Sequence, residues 1–121
     1  MIGLGIDAVD IRRFGTVLER TPRLVERLFT EGERSSAARR SDSRSMLAAR
    51  FAAREAAMKA LGVGLGAFDF RDVSVQSNPD GRPTLLVGGR AAELARARGV
   101  TRWHVSLTHT DDLAVAVVVA S

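Results

Sequence analysis

The chain has 121 residues and a mass of 13.0 kDa, which allows one buried hydrophobic core and excludes two ordinary domains. Hydrophobic residues make up 45% and charged residues 26%, a balance that argues against a disordered chain. The net charge of +4 is modest, and five Phe, one Trp and no Tyr offer few rings to stack on single-stranded nucleic acid. The lack of cysteine excludes disulfides and thiolate metal sites. We expect a single domain over residues 1–121.

The N-terminal residues predict a short buried strand and no export signal. Ile2–Ile6 is apolar and punctuated by glycine, and Asp7 interrupts the run before the core of a signal peptide could form. The longest apolar run, Leu113–Ala120, is far shorter than the roughly 20 residues that a membrane-spanning helix needs. We therefore expect a cytoplasmic protein without a membrane partner.

Three short helices are predicted next, each with its own N-terminal signal. Asp10 is a candidate N-cap for the first helix, and Thr21-Pro22 combines a cap with proline at the first helical position of the second. Thr30–Glu33 has the capping-box pattern, which predicts a third helix that runs to about Arg40.

A longer helix is predicted from about Arg44 to Leu61, after a polar turn at Ser41–Ser45. Gly62 stands at the expected C-cap, and Gly64 and Gly66 continue a loop. The helical spacing assigns the core face to Leu47, Phe51, Met58 and Leu61.

The second half of the chain predicts two pairs of strands separated by a short helix. The expected elements are a strand around Val73 and Val75, a turn at Asn78–Gly81, a strand over Thr84–Val87, a helix over Arg90–Arg98, and strands over Trp103–His109 and Leu113–Ala120. The alternation in Trp103–His109 indicates a half-buried strand, whereas the valine-rich Leu113–Ala120 suits a strand that is fully buried. Together the elements predict an α+β fold in which the long helix packs on an antiparallel sheet.

Glu55 and Lys59 are the most informative pair, because Lys59 is the one lysine among 18 basic residues. Four residues apart on a helix, the carboxylate and the ammonium share a face. An exposed ion pair is the commonest use of this spacing. A lysine retained in an arginine-rich chain instead favours a compact cation that approaches a phosphate oxygen. Both interpretations stay open at this point.

Three blocks of sequence, in this order, carry a more specific signal. They are Gly3–Asp7 with Asp10–Arg13, then Arg50–Ala56 with Lys59–Gly62, and finally His104–Asp112. With them the chain resembles, over nearly its whole length, the holo-acyl-carrier-protein synthase family of 4′-phosphopantetheinyl transferases. Gly81–Pro83 also resembles the Gly-Lys-Pro turn of that family. The resemblance implies transfer of phosphopantetheine from coenzyme A to a serine of an acyl carrier protein. It also implies a homotrimer with active sites between its subunits.

The resemblance implies that Asp7 and Glu55 hold Mg²⁺, a cation that prefers one or two carboxylates together with water and substrate phosphates. Lys59 is expected to offset the charge on the diphosphate, so the implied catalytic residues are Asp7, Glu55 and Lys59. Either Glu55 or a water on the metal is expected to take the proton of the carrier serine.

The remaining implied site residues bind the two substrates. Coenzyme A is expected to contact Arg50, Lys59, Gly62, Pro83, His109 and Thr110. The acidic carrier protein is expected to contact Arg13, Arg23, Leu24 and Arg27. Two departures from the family are Arg54, where Lys is common, and Ala57-Met58, where a larger pair is usual.

Two rival functions remain. A small basic nucleic-acid-binding protein fits the arginine count, and its binding would weaken steeply with salt and need no magnesium. A catalytically idle subunit that binds carrier proteins would be expected to lack a metal ligand, yet both Asp7 and Glu55 are present.

Overall fold

The computed structural model describes residues 1–121 and has an α+β fold, as predicted. Its elements are β1 (Gly3–Asp10), α1 (Ile11–Arg20), α2 (Arg23–Leu28), α3 (Glu31–Ala38), α4 (Ser43–Leu61), β2 (Val73–Ser77), β3 (Pro83–Val87), α5 (Gly89–Ala97), β4 (Trp103–His109) and β5 (Leu113–Ala120). A short 3-10 helix over Phe70–Asp72 precedes β2. The strands form an antiparallel sheet in the order β1-β5-β4 and a separate hairpin of β2 and β3. No helix is long and apolar enough to cross a bilayer.

Two of the three predicted N-terminal helix signals are present as hydrogen bonds. The prediction for the second helix was wrong, because Pro22 rather than Thr21 is the N-cap of α2 and no side chain caps that helix. Asp10 caps α1 by accepting from the Arg13 N–H at 2.9 Å. At the start of α3, the Glu33 carboxylate accepts from the Thr30 N–H at 3.0 Å, while the Thr30 hydroxyl accepts from the Glu33 N–H at 3.3 Å. Gly62 ends α4 in the left-handed conformation with φ of 70°. Because these bonds join residues that are close in sequence, the sequence alone could predict them.

Two strand predictions were wrong. β1 does not end at Asp7 but continues to Asp10, because its backbone pairs with β5 through to Leu113. β5 is not buried on both faces. Its buried residues are Ala114, Ala116, Val118 and Ala120, whereas Val115, Val117 and Val119 are only half-buried. The sheet is covered by α4 on one face, so the other face stays open.

The close contact between β1 and α4 comes from small residues on both elements. A Cβ atom added at Gly3 would lie 1.8 Å from the Ala60 carbonyl oxygen, and one added at Gly5 would lie 1.8 Å from the Ala56 carbonyl oxygen. Both are backbone atoms of α4, which a side-chain rotation cannot move. Only glycine allows this approach, and it brings the strand that carries Asp7 onto the helix that carries Glu55 and Lys59.

α4 is buried on more sides than its predicted core face indicates. Leu47, Met58 and Leu61 are buried as predicted, but Phe51 is only half-buried. The core face is built largely from alanines, of which Ala48, Ala52, Ala53, Ala56 and Ala57 are fully buried. Two arginines of α4, Arg50 and Arg54, are buried as well. Sequence periodicity could not assign them to the interior, because arginine is almost never buried without a partner.

The first prediction concerns the contact between β1 and α4. Gly5→Ala is expected to destabilise the fold by about 2 kcal/mol or more, because its Cβ can be accommodated only by moving the strand or the helix. Thermal unfolding of the variant and the parent measures the effect. Gly64→Ala is the matched control, since nothing lies within 4 Å of a Cβ at that position. A Gly5→Ala variant as stable as Gly64→Ala would contradict the prediction.

Candidate active site

β1 and α4 bring three predicted catalytic residues together. The Lys59 Nζ donates to the Ile6 carbonyl oxygen at 2.9 Å and to Asp7 Oδ1 at 3.2 Å. The i,i+4 ion pair between Glu55 and Lys59 does not form, because Lys59 pairs across the β1–α4 contact instead. Lys59 remains exposed, whereas Asp7 and Glu55 are half-buried. Two carboxylates and one ammonium thus meet in one place.

A groove of ≈ 540 Å³ extends from this cluster between β1, α1, α4 and the start of β5. Asp7, Asp10, Arg13 and Glu55 supply its polar groups. Its apolar wall consists of Ala8, Val9, Phe14, Val17, Phe51 and Leu113. The groove therefore has charged groups beside a surface that suits an apolar chain.

Phe51 was predicted to be a core residue, but it also lines this groove. Its ring stacks on Phe14 with 5.0 Å between centroids and on Phe70 with 5.8 Å. The stack packs α1, α4 and the 3-10 helix against one another. The helical spacing of Phe51 indicated an apolar environment but not a groove.

The electrostatics of the carboxylates favour a bound cation. Partial burial raises the pKa of Glu55, the charge of Asp7 raises it further, and Lys59 opposes the two effects. No cluster of three or more His, Asp or Glu side chains is present, so this chain offers a metal two carboxylates here. A cation that takes its other ligands from water and from a substrate fits such a donor set.

Arg50 lies outside the groove and faces a second, polar cleft of ≈ 600 Å³ between α3, α4 and β2. Its guanidinium donates to the Ser77 hydroxyl at 3.3 Å, while its buried Nε has no partner. The other lining residues are mostly polar: Thr30, Gly32, Glu33, Ser35, Ser36, Arg39, Ser74, Val75, Gln76, Ser77 and Leu86. A buried guanidinium with a free donor, surrounded by hydroxyl groups, suits an anion.

The other residues predicted to bind coenzyme A lie at separate places. Pro83 begins β3 and pairs with Ser77 beside the polar cleft. His109 is exposed at the end of β4. The Thr110 hydroxyl accepts from the N–H groups of Asp112 and Leu113, so it stabilises the turn into β5. Within one chain, Pro83, His109 and Thr110 do not line the groove that holds Asp7 and Glu55.

The residues predicted to bind the carrier protein lie on α1 and α2. Arg13 lines the groove itself. Leu24 and Arg27 line a neighbouring cleft with Phe68, Phe70 and Arg71, and Arg23 is exposed on α2. None of the three arginines forms an ion pair within the chain. They are therefore available to an acidic partner.

Sequence reasoning missed the buried ion pair between Arg54 and Glu33. Glu33 was identified only as a capping-box residue, and Arg54 only as a departure from a family pattern. Both are almost completely buried, and both guanidinium Nη atoms donate to the carboxylate. The two residues are 21 positions apart, so no local spacing could have paired them.

The raised pKa of Glu55 predicts a pH-dependent stability. Below the ordinary glutamate pKa of about 4.3, Glu55 is neutral in both the folded and the unfolded protein. As the pH rises through the raised pKa of the folded protein, the side chain must ionise in its half-buried site, and this lowers the free energy of unfolding. Glu55→Gln stays neutral, so it should be more stable than the parent near pH 8, with a difference that shrinks toward zero below about pH 4. Melting temperatures of both proteins without divalent cations, from pH 4 to 8, measure this. A difference independent of pH would contradict the assignment.

Comparison with known proteins identifies the family. The model of the 4′-phosphopantetheinyl transferase superfamily matches residues 3–118. A holo-[acyl-carrier-protein] synthase of Salinispora arenicola is 48% identical over 120 residues, which covers 99% of this chain and 98% of that relative. A second one, from Clavibacter sepedonicus, is 50% identical over 117 residues, which covers 97% of this chain and 92% of the relative.

Solved structures agree with the sequence matches. The crystal structure of the holo-[acyl-carrier-protein] synthase from Neisseria meningitidis superposes with a TM-score of 0.91 at 28% identity, over 100% of this chain and 98% of that one. A holo-(acyl-carrier-protein) synthase from Bacillus anthracis, solved in complex with CoA (3′,5′-ADP), gives a TM-score of 0.82 at 33% identity, over 98% and 95% of the two chains. The chain therefore belongs to the holo-[acyl-carrier-protein] synthase family within the 4′-phosphopantetheinyl transferase superfamily.

Proposed function

We propose that this protein transfers 4′-phosphopantetheine from coenzyme A to a serine of an apo acyl carrier protein, and that the reaction depends on Mg²⁺. In the transfer, the serine oxygen bonds to the phosphorus on the pantetheine side. The bond from that phosphorus to the oxygen of adenosine 3′,5′-bisphosphate breaks, and the serine proton passes to Glu55 or to a water. The convergence of Asp7, Glu55 and Lys59 beside one groove is the observation that supports this function most strongly.

Asp7 and Glu55 fit a divalent cation because burial and the charge of Asp7 both raise the pKa of Glu55, and Lys59 offsets these effects only in part. Two half-buried carboxylates match the preference of Mg²⁺ for one or two protein ligands, with water and phosphate oxygens at its other positions. When bound, Mg²⁺ would neutralise charge on the diphosphate as the phosphoryl group moves between oxygens. Asp7 and Glu55 are therefore the proposed metal ligands.

Lys59 is proposed to bind the same diphosphate. Its ammonium is fixed by the Ile6 carbonyl and by Asp7, and it remains exposed to a ligand from the open side. A fixed positive charge stabilises the leaving phosphate without reorganising during the reaction. The groove next to it gives the carrier serine and the apolar part of the pantetheine arm room to approach.

The polar cleft around Arg50 is proposed to hold a more distant phosphate of coenzyme A. The charged guanidinium of Arg50 on the wall of this cleft supports the assignment. Gly62, Pro83, His109 and Thr110 stay predicted contacts of coenzyme A. Since Pro83, His109 and Thr110 do not line the groove of their own chain, we propose that a neighbouring copy supplies them to the site.

Carrier recognition is proposed for the surface formed by Arg13, Arg23, Leu24 and Arg27. Arg13 joins this surface to the groove, so a carrier helix bound there would bring its serine toward Glu55. Unpaired arginines attract an acidic partner at long range and align it before contact. The cytoplasmic location also stays a prediction.

Self-association is proposed through the open face of the sheet. Leu4 and Ile6 project from β1 and are 57% and 58% exposed, next to the half-buried Val115, Val117 and Val119 of β5. An exposed apolar surface of this kind on β1 and β5 supports an interface with another copy. Burying it between copies would add apolar area that a small domain lacks, and the proposed assembly is the homotrimer of the family.

The proposed reaction is tested by mass spectrometry of an apo acyl carrier protein after incubation with this protein and coenzyme A. We expect the carrier to gain one phosphopantetheine in Mg²⁺ and none in chelator. Glu55→Gln should lower turnover by at least about 100-fold, because a neutral amide replaces a charged ligand. Glu93→Gln, which removes a carboxylate from the surface of α5, should match the parent. Full activity of Glu55→Gln would exclude the metal assignment, and no transfer to any carrier tested would overturn the function.

The proposed interface is tested by the mass of the protein in solution. Light scattering should give a trimer for the parent and a monomer for Ile6→Lys, which places a charge at the centre of the open face. Leu65→Lys is the control, since Leu65 is 72% exposed in a loop outside that face. A monomeric parent protein would contradict the proposal.

A further inference from the structure

We propose that the buried pair of Arg54 and Glu33 is a positioning element for the transfer reaction, which holds the β2–β3 hairpin and the polar cleft in place relative to α4. This inference rests on the function proposed above. It concerns residues that do not touch the reacting atoms and that act through the walls of the cleft proposed to bind coenzyme A.

The pair is deeply buried. Arg54 is 0% exposed and Glu33 is 3% exposed, and the ring of Phe29 lies 5.0 Å from the Arg54 guanidinium carbon. Replacing a buried ion pair by apolar residues of similar size is often neutral or stabilising. The pair is therefore not explained by a contribution to stability. The positions of its hydrogen-bond partners say more about its role.

The hydrogen bonds of the pair join four segments of the chain. The Glu33 carboxylate accepts from the Thr30 N–H at the start of α3 and from the Val75 N–H in the middle of β2, each at 3.0 Å. On the other side, Arg54 Nε donates to the Phe70 carbonyl oxygen at 2.9 Å, and Nη1 donates to the Arg50 carbonyl oxygen at 3.1 Å. α3, α4, β2 and the segment before β2 are thus fixed to one another.

The same segments form the walls of the polar cleft. Glu33 and Val75 line the cleft directly, and Arg50 enters it one helical turn before Arg54. Ser77, which accepts from Arg50, pairs in the hairpin with Pro83. A shift of β2 away from α4 would therefore move Ser77 and Pro83 together. Asp7, Glu55 and Lys59 would keep their geometry, because β1 and α4 hold them.

Only a guanidinium provides all of these contacts at once. Its planar fork binds both oxygens of Glu33 while the other donors reach two carbonyl oxygens. A lysine at position 54 would retain the charge beside Glu33 but could not reproduce the fork. Replacing Arg54 by lysine should therefore loosen the β2–β3 hairpin, while the lysine ammonium still pairs with the Glu33 carboxylate.

Two variants test the positioning role. Arg54→Lys keeps the charge, and the double variant with Glu33→Met and Arg54→Met removes both charges together, so that neither is left unpaired. We expect the KM for coenzyme A to rise about threefold in the first and about tenfold or more in the second, while kcat stays within about threefold of the parent. Hydrogen exchange of the Val75 amide should accelerate in the same order. If the double variant does not fold, the KM and the Val75 exchange rate of Arg54→Lys alone test the positioning role.

Matched controls use the exposed pair of Arg90 and Glu93 on α5, which lines neither the groove nor the polar cleft. Arg90→Lys, and the double change of Arg90 and Glu93 to Met, should leave the KM and the exchange rates unchanged. If the parent transfers phosphopantetheine but the Arg54 variants have the same KM for coenzyme A as the parent, the positioning role is overturned and the proposed function stands. No transfer by the parent would instead overturn the proposed function, and with it the inferred effect on KM.

Discussion

The contact of β1 with α4 is the constraint on which the rest of the structure depends. Gly3 and Gly5 bring the strand backbone against the carbonyl groups of Ala60 and Ala56, at a distance that no Cβ atom permits. This approach lets Lys59 reach the Ile6 carbonyl and places Asp7 beside the helix that carries Glu55. The small residues therefore do more than fill the core, because they set how far Asp7 on β1 lies from Glu55 and Lys59 on α4.

The charges of this chain fall into three physical settings. Arg54 and Glu33 are buried and satisfy each other, so their main effect is on geometry. Asp7 and Glu55 are half-buried, and burial together with the charge of Asp7 raises the pKa of Glu55, which supports the proposed metal site. The arginines on α1 and α2 are solvated and unpaired, so they are free to attract an acidic partner. A protein with a modest net charge thus has charges in buried, half-buried and solvated settings, which suit the separate roles proposed for them.

The one-sided burial of the sheet links the fold to the proposed assembly. α4 covers the face of β5 that carries alanines and Val118, and leaves the face with Val115, Val117 and Val119 open. Pro83 and His109 do not line the groove of their own chain. Association through the open face would satisfy both observations, since a second copy would cover apolar surface and could add the missing contacts to the site.

The sequence by itself determined the features that depend on neighbouring residues. The Asp10 cap, the Thr30–Glu33 capping box and the Gly62 helix end were predictable because each hydrogen bond or backbone conformation is local. The spacing of Glu55 and Lys59 put them on one helix face, and three motifs identified the family. Tertiary structure alone decided that Lys59 pairs with Asp7 rather than Glu55, and that Arg54 reaches Glu33. It also decided that only one face of β5 is buried. These outcomes depend on which backbones approach one another across long stretches of chain, and periodicity within one element carries no information about that approach.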